Sequence, residues 1–439
     1  MGGNDARVRD NSARRVRWTV FAVAVLAGIL KLVLASRTYG TNDVGHWIRF
    51  TAGVHDRGPI GVYEGSYKAV YNHPPLIGWW LAAVDGLSAY LPVRFLVKIP
   101  AVLADVACAV LVAELLRIRR GRRAAVSAGV LVAISPVLIA VSGFHGNTDP
   151  VFVLLVLAAG WLLVDRRLPV AAGVVAALAL SVKIVPVVAL PVLLVAAWRG
   201  RLGPLRFLAG AAAVFALLWV PVLTRQWPAF QRNVIGYRGT APEDSQWGLP
   251  QILRAAGADA GAINALNGSG RFVILALCAL LPVALVWRRP AAAPLGAALS
   301  LVLFLLLSPA WGTQYTAWGL APAYLLSGWA ATGYSALAGA LLVQTYTRWS
   351  GGFPWYEARA SGLDLTGQRL GLLAWCALLA AAALGVRRIL TTPSPHQETV
   401  PCPPSPDPDP GSASSSSPTT PPRRWRPRST ASPRTSAPA

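Results

Sequence analysis

The chain has 439 residues, of which 54% are hydrophobic and only 13% charged, and its formal net charge is +22. Soluble globular domains hold about 25% charged residues, so the composition excludes one and points to a chain built in lipid. The positive charge does not indicate nucleic acid. It lies in short segments between apolar runs, the distribution that sets membrane topology and touches anionic lipid.

Apolar stretches long enough to cross a hydrocarbon core of about 30 Å recur along the sequence. The expected fold class is all-α: a polytopic transmembrane helix bundle of about twelve spans, with juxtamembrane helices in the first outer loop. Residues 1–17 form a basic N-terminus that includes Arg14, Arg15 and Arg17. The first apolar run, residues 18–36, is too long for a signal-peptide core and lacks a cleavage site, so it reads as a retained anchor. Later basic clusters, Arg117 to Arg123, Arg166-Arg167, Arg199 to Arg206 and Arg288-Arg289, also fall between spans. By the positive-inside rule these loops and both termini are cytoplasmic.

Residues 37–73 then form an outer loop. Spans at 95–117 and 124–142 flank a basic inner turn, which leaves 74–91 with no crossing to make. Trp79, Trp80 and Tyr90 suit an interfacial helix there; a true span would invert every later loop. Further spans are expected at 149–165, 168–184, 185–198, 207–223, 271–287, 291–308, 314–330, 332–346 and 370–386. One membrane-embedded domain thus covers 18–390. Residues 391–439 are rich in Pro, Ser, Thr and Arg and are expected to be a disordered cytoplasmic tail. Cys108, Cys278, Cys376 and Cys402 show neither disulfide nor metal spacing.

Polar residues concentrate in the outer loops. Asp43 follows the first span closely, and His46, Arg49, His55, Asp56, Glu64 and His73 follow it. His145, Asn147 and Asp149 stand together before the fourth span, where Asp149 could also cap a helix opening at Pro150. Lys183 ends an apolar run, where it either meets a phosphate or snorkels. Lys31, Arg94, Lys98 and Asp105 read as an internal ion-pair set joining the first two spans, or, for Arg94 and Lys98, as an attractor for an anionic substrate. Loop 224–270 carries Arg232, Tyr237 and Arg238 and reads as a partly ordered lid; Trp311, Gln314, Tyr315 and Trp318 follow at the next outer edge. The histidine spacing supports no zinc site.

Taken in order, Asn42-Asp43 after the first span, Tyr71-Asn-His-Pro-Pro-Leu76, Gly143-Phe-His-Gly-Asn-Thr-Asp149, the lysine-proline stretch at Lys183 and the Ser-Pro to Gln-Tyr stretch near Gln314 resemble the GT-C superfamily of integral-membrane glycosyltransferases. Within it they are similar to bacterial polyprenyl-phosphate-mannose-dependent mannosyltransferases. The resemblance covers about residues 15–345. It implies inverting transfer of a hexose, mannose by analogy, from a polyprenyl-phosphate donor to the hydroxyl of a glycan, glycolipid or protein acceptor on the extracytoplasmic face. Asp43 would be the general base. Lys183, Arg238 and His145 would hold the donor phosphate, and His46, His73, Asn147, Asp149, Gln314 and Tyr315 would bind substrate. No metal or other cofactor is implied, and the remaining partners are membrane lipids rather than nucleic acid. The rival reading is a lipid or solute transporter, or flippase, which would show repeat symmetry that the sequence lacks. A non-catalytic scaffold would not need the Asp43 and Asp149 loops.

Overall fold

The computed structural model describes residues 2–237, 239 and 247–391, with side chains from residue 13 onward. The tail expected over 391–439 lies outside the described residues apart from Thr391. Helix α1 (Gly2–Arg37) leads into a two-residue strand β1 (Gly40–Thr41), then α2 (Asn42–Gly61) and α3 (Pro75–Leu87). The bundle continues with α4 (Ile99–Arg120), α5 (Arg122–His145), α6 (Asp149–Val164), α7 (Pro169–Val182), α8 (Leu190–Arg199) and α9 (Pro204–Ile235). Two short helices, Gly248–Ala255 and Ala260–Asn267, precede α10 (Gly270–Trp287), α11 (Ala293–Leu307), α12 (Thr316–Leu326), α13 (Gly328–Trp349) and α14 (Leu365–Thr391). Seven of the described helices are long and apolar enough to cross a membrane, so the chain is a multi-pass membrane protein, as its composition predicts.

Hydrogen bonds between distant helices define two ends. At one, Arg17 and Arg117 both bind Glu114, Arg119 binds Asp165 at 2.9 Å, and Arg388 donates to the carbonyls of Leu325 and Leu326. At the other lie Asp43, His145, Asp149, Lys183 and Tyr346. Helix α1 and helices α4 to α14 run alternately between the two. Helix α3 does not: the chain enters it at His73 and leaves it towards Lys98, both at the Asp43 end. The expected outer loop is therefore largely helical.

Close packing in lipid depends on small side chains, because apolar surface gains little by leaving hydrocarbon. Helices α7 and α9 meet backbone to backbone in this way. A Cβ on Gly173 would lie 1.9 Å from Phe207 O, and one on Gly210 would lie 2.2 Å from Val170 O. Helix α12 is buried at every position; protein rather than lipid surrounds its backbone.

Helices α1 and α4 are joined by charge. Lys31 Nζ donates to Asp105 Oδ2 at 2.8 Å, and both side chains are 1% exposed. About two turns towards the site, Lys98 Nζ donates to Thr38 O at 3.3 Å. The internal ion-pair reading therefore describes Lys31 and Asp105, whereas buried Lys98 is occupied by the chain itself. Removing one partner of such a pair leaves an uncompensated charge. Lys31→Ala and Asp105→Ala should each lower stability by about 3–5 kcal/mol. The double replacement Lys31→Met with Asp105→Leu should recover most of that loss in thermal unfolding of detergent-solubilised protein. A double variant as unstable as the singles would show that packing, not charge, is responsible.

Candidate active site

The site begins where α1 stops. Gly40 adopts φ 108, a conformation open to glycine, and a Cβ there would sit 2.5 Å from Phe144 O. The strand β1 pairs in parallel with β2 (Glu357–Ala358), and Tyr39 and Gly40 both donate to Tyr356 O. Thr41 then caps α2. Its Oγ1 accepts from Asp43 N at 3.4 Å and donates to His145 O at 3.1 Å. Asp43 thereby occupies the first turn of a helix, where the backbone dipole favours a carboxylate.

Helix α5 ends in a π-helical turn over Ile139–His145, followed by Gly146 in the left-handed region. This wide turn carries His145 back over α2. His145 Nε2 lies 3.0 Å from Asp43 Oδ2, and its Nδ1 lies 2.7 Å from the Tyr346 hydroxyl. Tyr346 in turn donates to Thr313 Oγ1 at 3.3 Å, and Gln314 Nε2 donates to Asp43 Oδ2 at 3.4 Å. Burial alone would push the Asp43 carboxyl up. The His145 hydrogen bond and charge, with His46 and Lys183 nearby, outweigh it and hold Asp43 below the ordinary carboxylate range. Its side chain keeps 29% exposure, which opens it to the cleft.

The second carboxylate is enclosed. Asp149 is 0% exposed, accepts from Lys183 Nζ at 2.6 Å through Oδ1, and from Trp318 Nε1 at 2.6 Å through Oδ2. The capping reading of Asp149 is thus corrected: Thr148 holds the cap position, and Asn147 Oδ1 accepts from Asp149 N. The charge is needed to seat Lys183. Helix α7 ends at Val182, and Lys183 is extended, which turns its side chain into the bundle. Its ammonium lies 5.1 Å from the Tyr315 ring and 5.0 Å from the Trp318 ring. A snorkelling lysine would point to the surface; this one does not.

A cleft of about 140 Å³ collects these groups. Asp43, His46, His73, Asn147, Lys183, Gln314 and Tyr315 line it, so seven of the expected site residues share one cavity. His145 and Asp149 stand behind it, bonded to Asp43 and Lys183. Arg238 lies outside the described residues. Tyr346 and Thr313 were not anticipated. Tyr346 stands among Gln344, Thr345, Thr347, Arg348 and Trp349 at the end of α13, where an aromatic reads as part of the interfacial belt and no motif ties it to His145. Trp47 likewise emerges only here: its ring stacks on His73 at 4.4 Å, and its indole donates to Gly146 O at 2.9 Å. Among the described residues, no three His, Cys, Asp or Glu side chains are grouped to hold a metal ion.

A family model described as glycosyltransferase family 87 matches residues 71–309, more than half of the chain. The matched span holds His73, His145, Asn147, Asp149 and Lys183; Asp43 and Gln314 lie beyond its limits. No curated protein matches the sequence. Among solved structures, the chain is similar to ArnT from Cupriavidus metallidurans bound to undecaprenyl phosphate, with 13% identity and a TM-score of 0.45 over 84% of this chain and 77% of that one. It is also similar to the oligosaccharyltransferase of Archaeoglobus fulgidus in complex with zinc and sulfate. There the identity is 17% and the TM-score 0.35, over 85% of this chain and about half of that one, 54%.

The histidine in the cleft wall gives the site a measurable pH response. Burial first, and then the Lys183 charge, push His73 down to about 3 against the opposing pull of Asp43. Its unfolded value is about 6.5. Between these values the unfolded chain binds the extra proton, so stability rises with pH. The contribution of His73 is complete above about pH 6.5 and is lost as pH falls towards 3. In melting curves taken from pH 4 to 7, His73→Gln should flatten the dependence of Tm on pH. An unchanged slope would mean that His73 is not held neutral.

Proposed function

The chain belongs to glycosyltransferase family 87, and from that premise we propose that it transfers mannose from a polyprenyl-phosphate donor to a hydroxyl of a glycan, glycolipid or protein acceptor. The observation that carries the reading is that an ionised carboxylate, Asp43, and a lysine seated by a buried aspartate line one cleft. These are the two charges a displacement at an anomeric carbon requires, one at each end of the reacting line.

Asp43 takes the proton of the acceptor hydroxyl. The acceptor oxygen bonds to the anomeric carbon as the bond from that carbon to the phosphate oxygen breaks, with inversion. The leaving group departs as lipid phosphate, whose negative charge Lys183 meets. Held by Asp149 below and flanked by Tyr315 and Trp318, the ammonium is already oriented and does not have to rearrange during reaction. Gln314 and His145 hold the Asp43 carboxylate at a fixed angle. Both nitrogens of His145 face protein groups, so its role here is to orient the base, in place of the phosphate-binding role implied by the resemblance. His46, His73, Asn147 and Tyr315 supply walls and hydrogen-bonding groups for the sugar. No step requires a metal ion. The reading also places the Asp43 end of the bundle on the extracytoplasmic face, both termini in the cytoplasm, and the catalytic domain over residues 18–390.

Three variants test the roles. Asp43→Asn should insert and bind donor normally while turnover of radiolabelled polyprenyl-phosphate mannose falls about a hundred- to ten-thousandfold, the span for a positioned base. Lys183→Ala should slow turnover by about a hundred- to a thousandfold and weaken donor binding, with partial recovery in Lys183→Arg. Normal turnover in Asp43→Asn would remove the proposed mechanism. The membrane side is tested separately by thiol labelling in whole cells. Cysteine replacing the exposed Ser66 should react with an impermeant reagent, and cysteine replacing the exposed Arg123 should not. The opposite pattern would put the chemistry on the cytoplasmic face.

A further inference from the structure

A second cavity, of about 390 Å³, opens beside the first and is lined by Tyr39, Asn42, Gly45, His46, Arg49, Lys68, Ala69 and Glu357. The two share His46 and Ala69 as a common wall. Nothing on the Lys183 side of the reactive cleft contributes to the second cavity. Its chemistry differs as well. Arg49 and Lys68 both line it and bring two cations to it. Among the described residues Arg49 reaches only His46 Nδ1, at 3.4 Å, and Lys68 makes no hydrogen bond or ion pair. Glu357, 3.5 Å from the exposed Arg359, and the Tyr39 ring line it as well. The β1–β2 pairing holds this arrangement together, since it ties Tyr39 and Glu357 to the start of α2.

We propose that this second cavity is the acceptor subsite and that it takes an acceptor carrying a phosphate group, bound by Arg49 and Lys68. The inference rests on the transferase reading given above. Inversion requires the acceptor oxygen to arrive opposite the leaving phosphate. With the donor phosphate at Lys183, an acceptor seated in the second cavity would reach Asp43 past the shared residue His46. A guanidinium and an ammonium that line one cavity can meet a phosphate's oxygens, through a fork and a point charge respectively. Glu357 and Tyr39 are suited to the hydroxyls and the apolar face of the sugar that bears it. Burial, aided by the charges of Arg49 and Lys68 and against the pull of Asp43, keeps His46 below its ordinary value, so the wall between the subsites is a neutral group able to pass the acceptor without adding a third cation. A phosphate could also come from the head group of a neighbouring phospholipid, and the test separates the two sources.

The full chain in neutral detergent, saturated with sugar-free polyprenyl phosphate to fill the Lys183 side, is titrated calorimetrically with octyl α-mannoside and with octyl 6-phospho-α-mannoside. The phosphorylated probe should bind about tenfold more tightly, the scale of two solvent-exposed ion pairs. In the double variant Arg49→Gln with Lys68→Gln that preference should disappear, while affinity for the uncharged probe and for polyprenyl phosphate is retained. Lys183→Ala should leave the preference intact. Equal affinity of the native chain for the two probes overturns the proposal. So does a preference that survives in the double variant, or one abolished by Lys183→Ala. If the double variant keeps the preference but loses a dependence of transfer on phosphatidylglycerol in nanodiscs, the two cations serve a lipid head group instead. The titration needs no turnover. Its failure leaves the catalytic reading standing, whereas failure of that reading appears as unchanged turnover in Asp43→Asn.

Discussion

A carboxylate without access to solvent has to be neutralised where it stands, and Asp149 is the group on which the rest of this site depends. Its two oxygens accept from Lys183 and from Trp318, each at 2.6 Å. An unpaired charge there would cost several kcal/mol, so the lysine has one position and the indole one orientation. Tyr315 stacks on Trp318 at 3.9 Å and closes the aromatic side of the ammonium. Three segments of the chain, the start of α6, the end of α7 and the first turn of α12, are locked together by one buried charge. The cation of the cleft is therefore a fixed feature of the bundle, although lysine is among the most flexible of side chains.

Asp43 is held on a different principle. It keeps an exposed edge and is steered by hydrogen bonds from several directions. His145 approaches from the π-helical end of α5, Gln314 from the turn before α12, and the Thr41 cap from its own chain. Behind His145, the hydroxyls of Tyr346 and Thr313 extend the network into the core. Such networks rigidify only when each member is satisfied, and this one reaches five elements. One carboxylate is thus immobilised to hold a partner, while the other stays open to the cleft and its ionised form is favoured by the same histidine that orients it.

The two ends of the bundle divide the labour. Arginines with Glu114 and Asp165 pin the helices at one end; the polar residues that line cavities gather at the other. Between them the packing relies on small residues and on the Lys31–Asp105 pair, which fixes the depth of α1 against α4. That depth matters because α1 ends six residues before Asp43, so the register of the first two long helices sets where this carboxylate emerges.

Much of this was legible in the sequence, for a physical reason: hydrocarbon imposes a one-dimensional rule. Apolar runs must be about as long as the membrane is thick, and basic residues must lie between them. That rule sufficed for the helical class, for most helix limits, and for keeping 74–91 at one end of the bundle. Scarcity did the rest, since a charged side chain near such a membrane draws attention by being there at all, as Asp43, Lys183 and the His145–Asp149 segment do. What tertiary structure alone decided was which polar group answers which. The pairing of Lys183 with Asp149 spans 34 residues and that of His145 with Tyr346 spans 201. Neither separation leaves a periodic trace. Asp149 looked like a helix cap because capping is a local interaction and local interactions are what a sequence displays. The bond that holds it comes from another helix, and only the folded bundle brings that helix within reach.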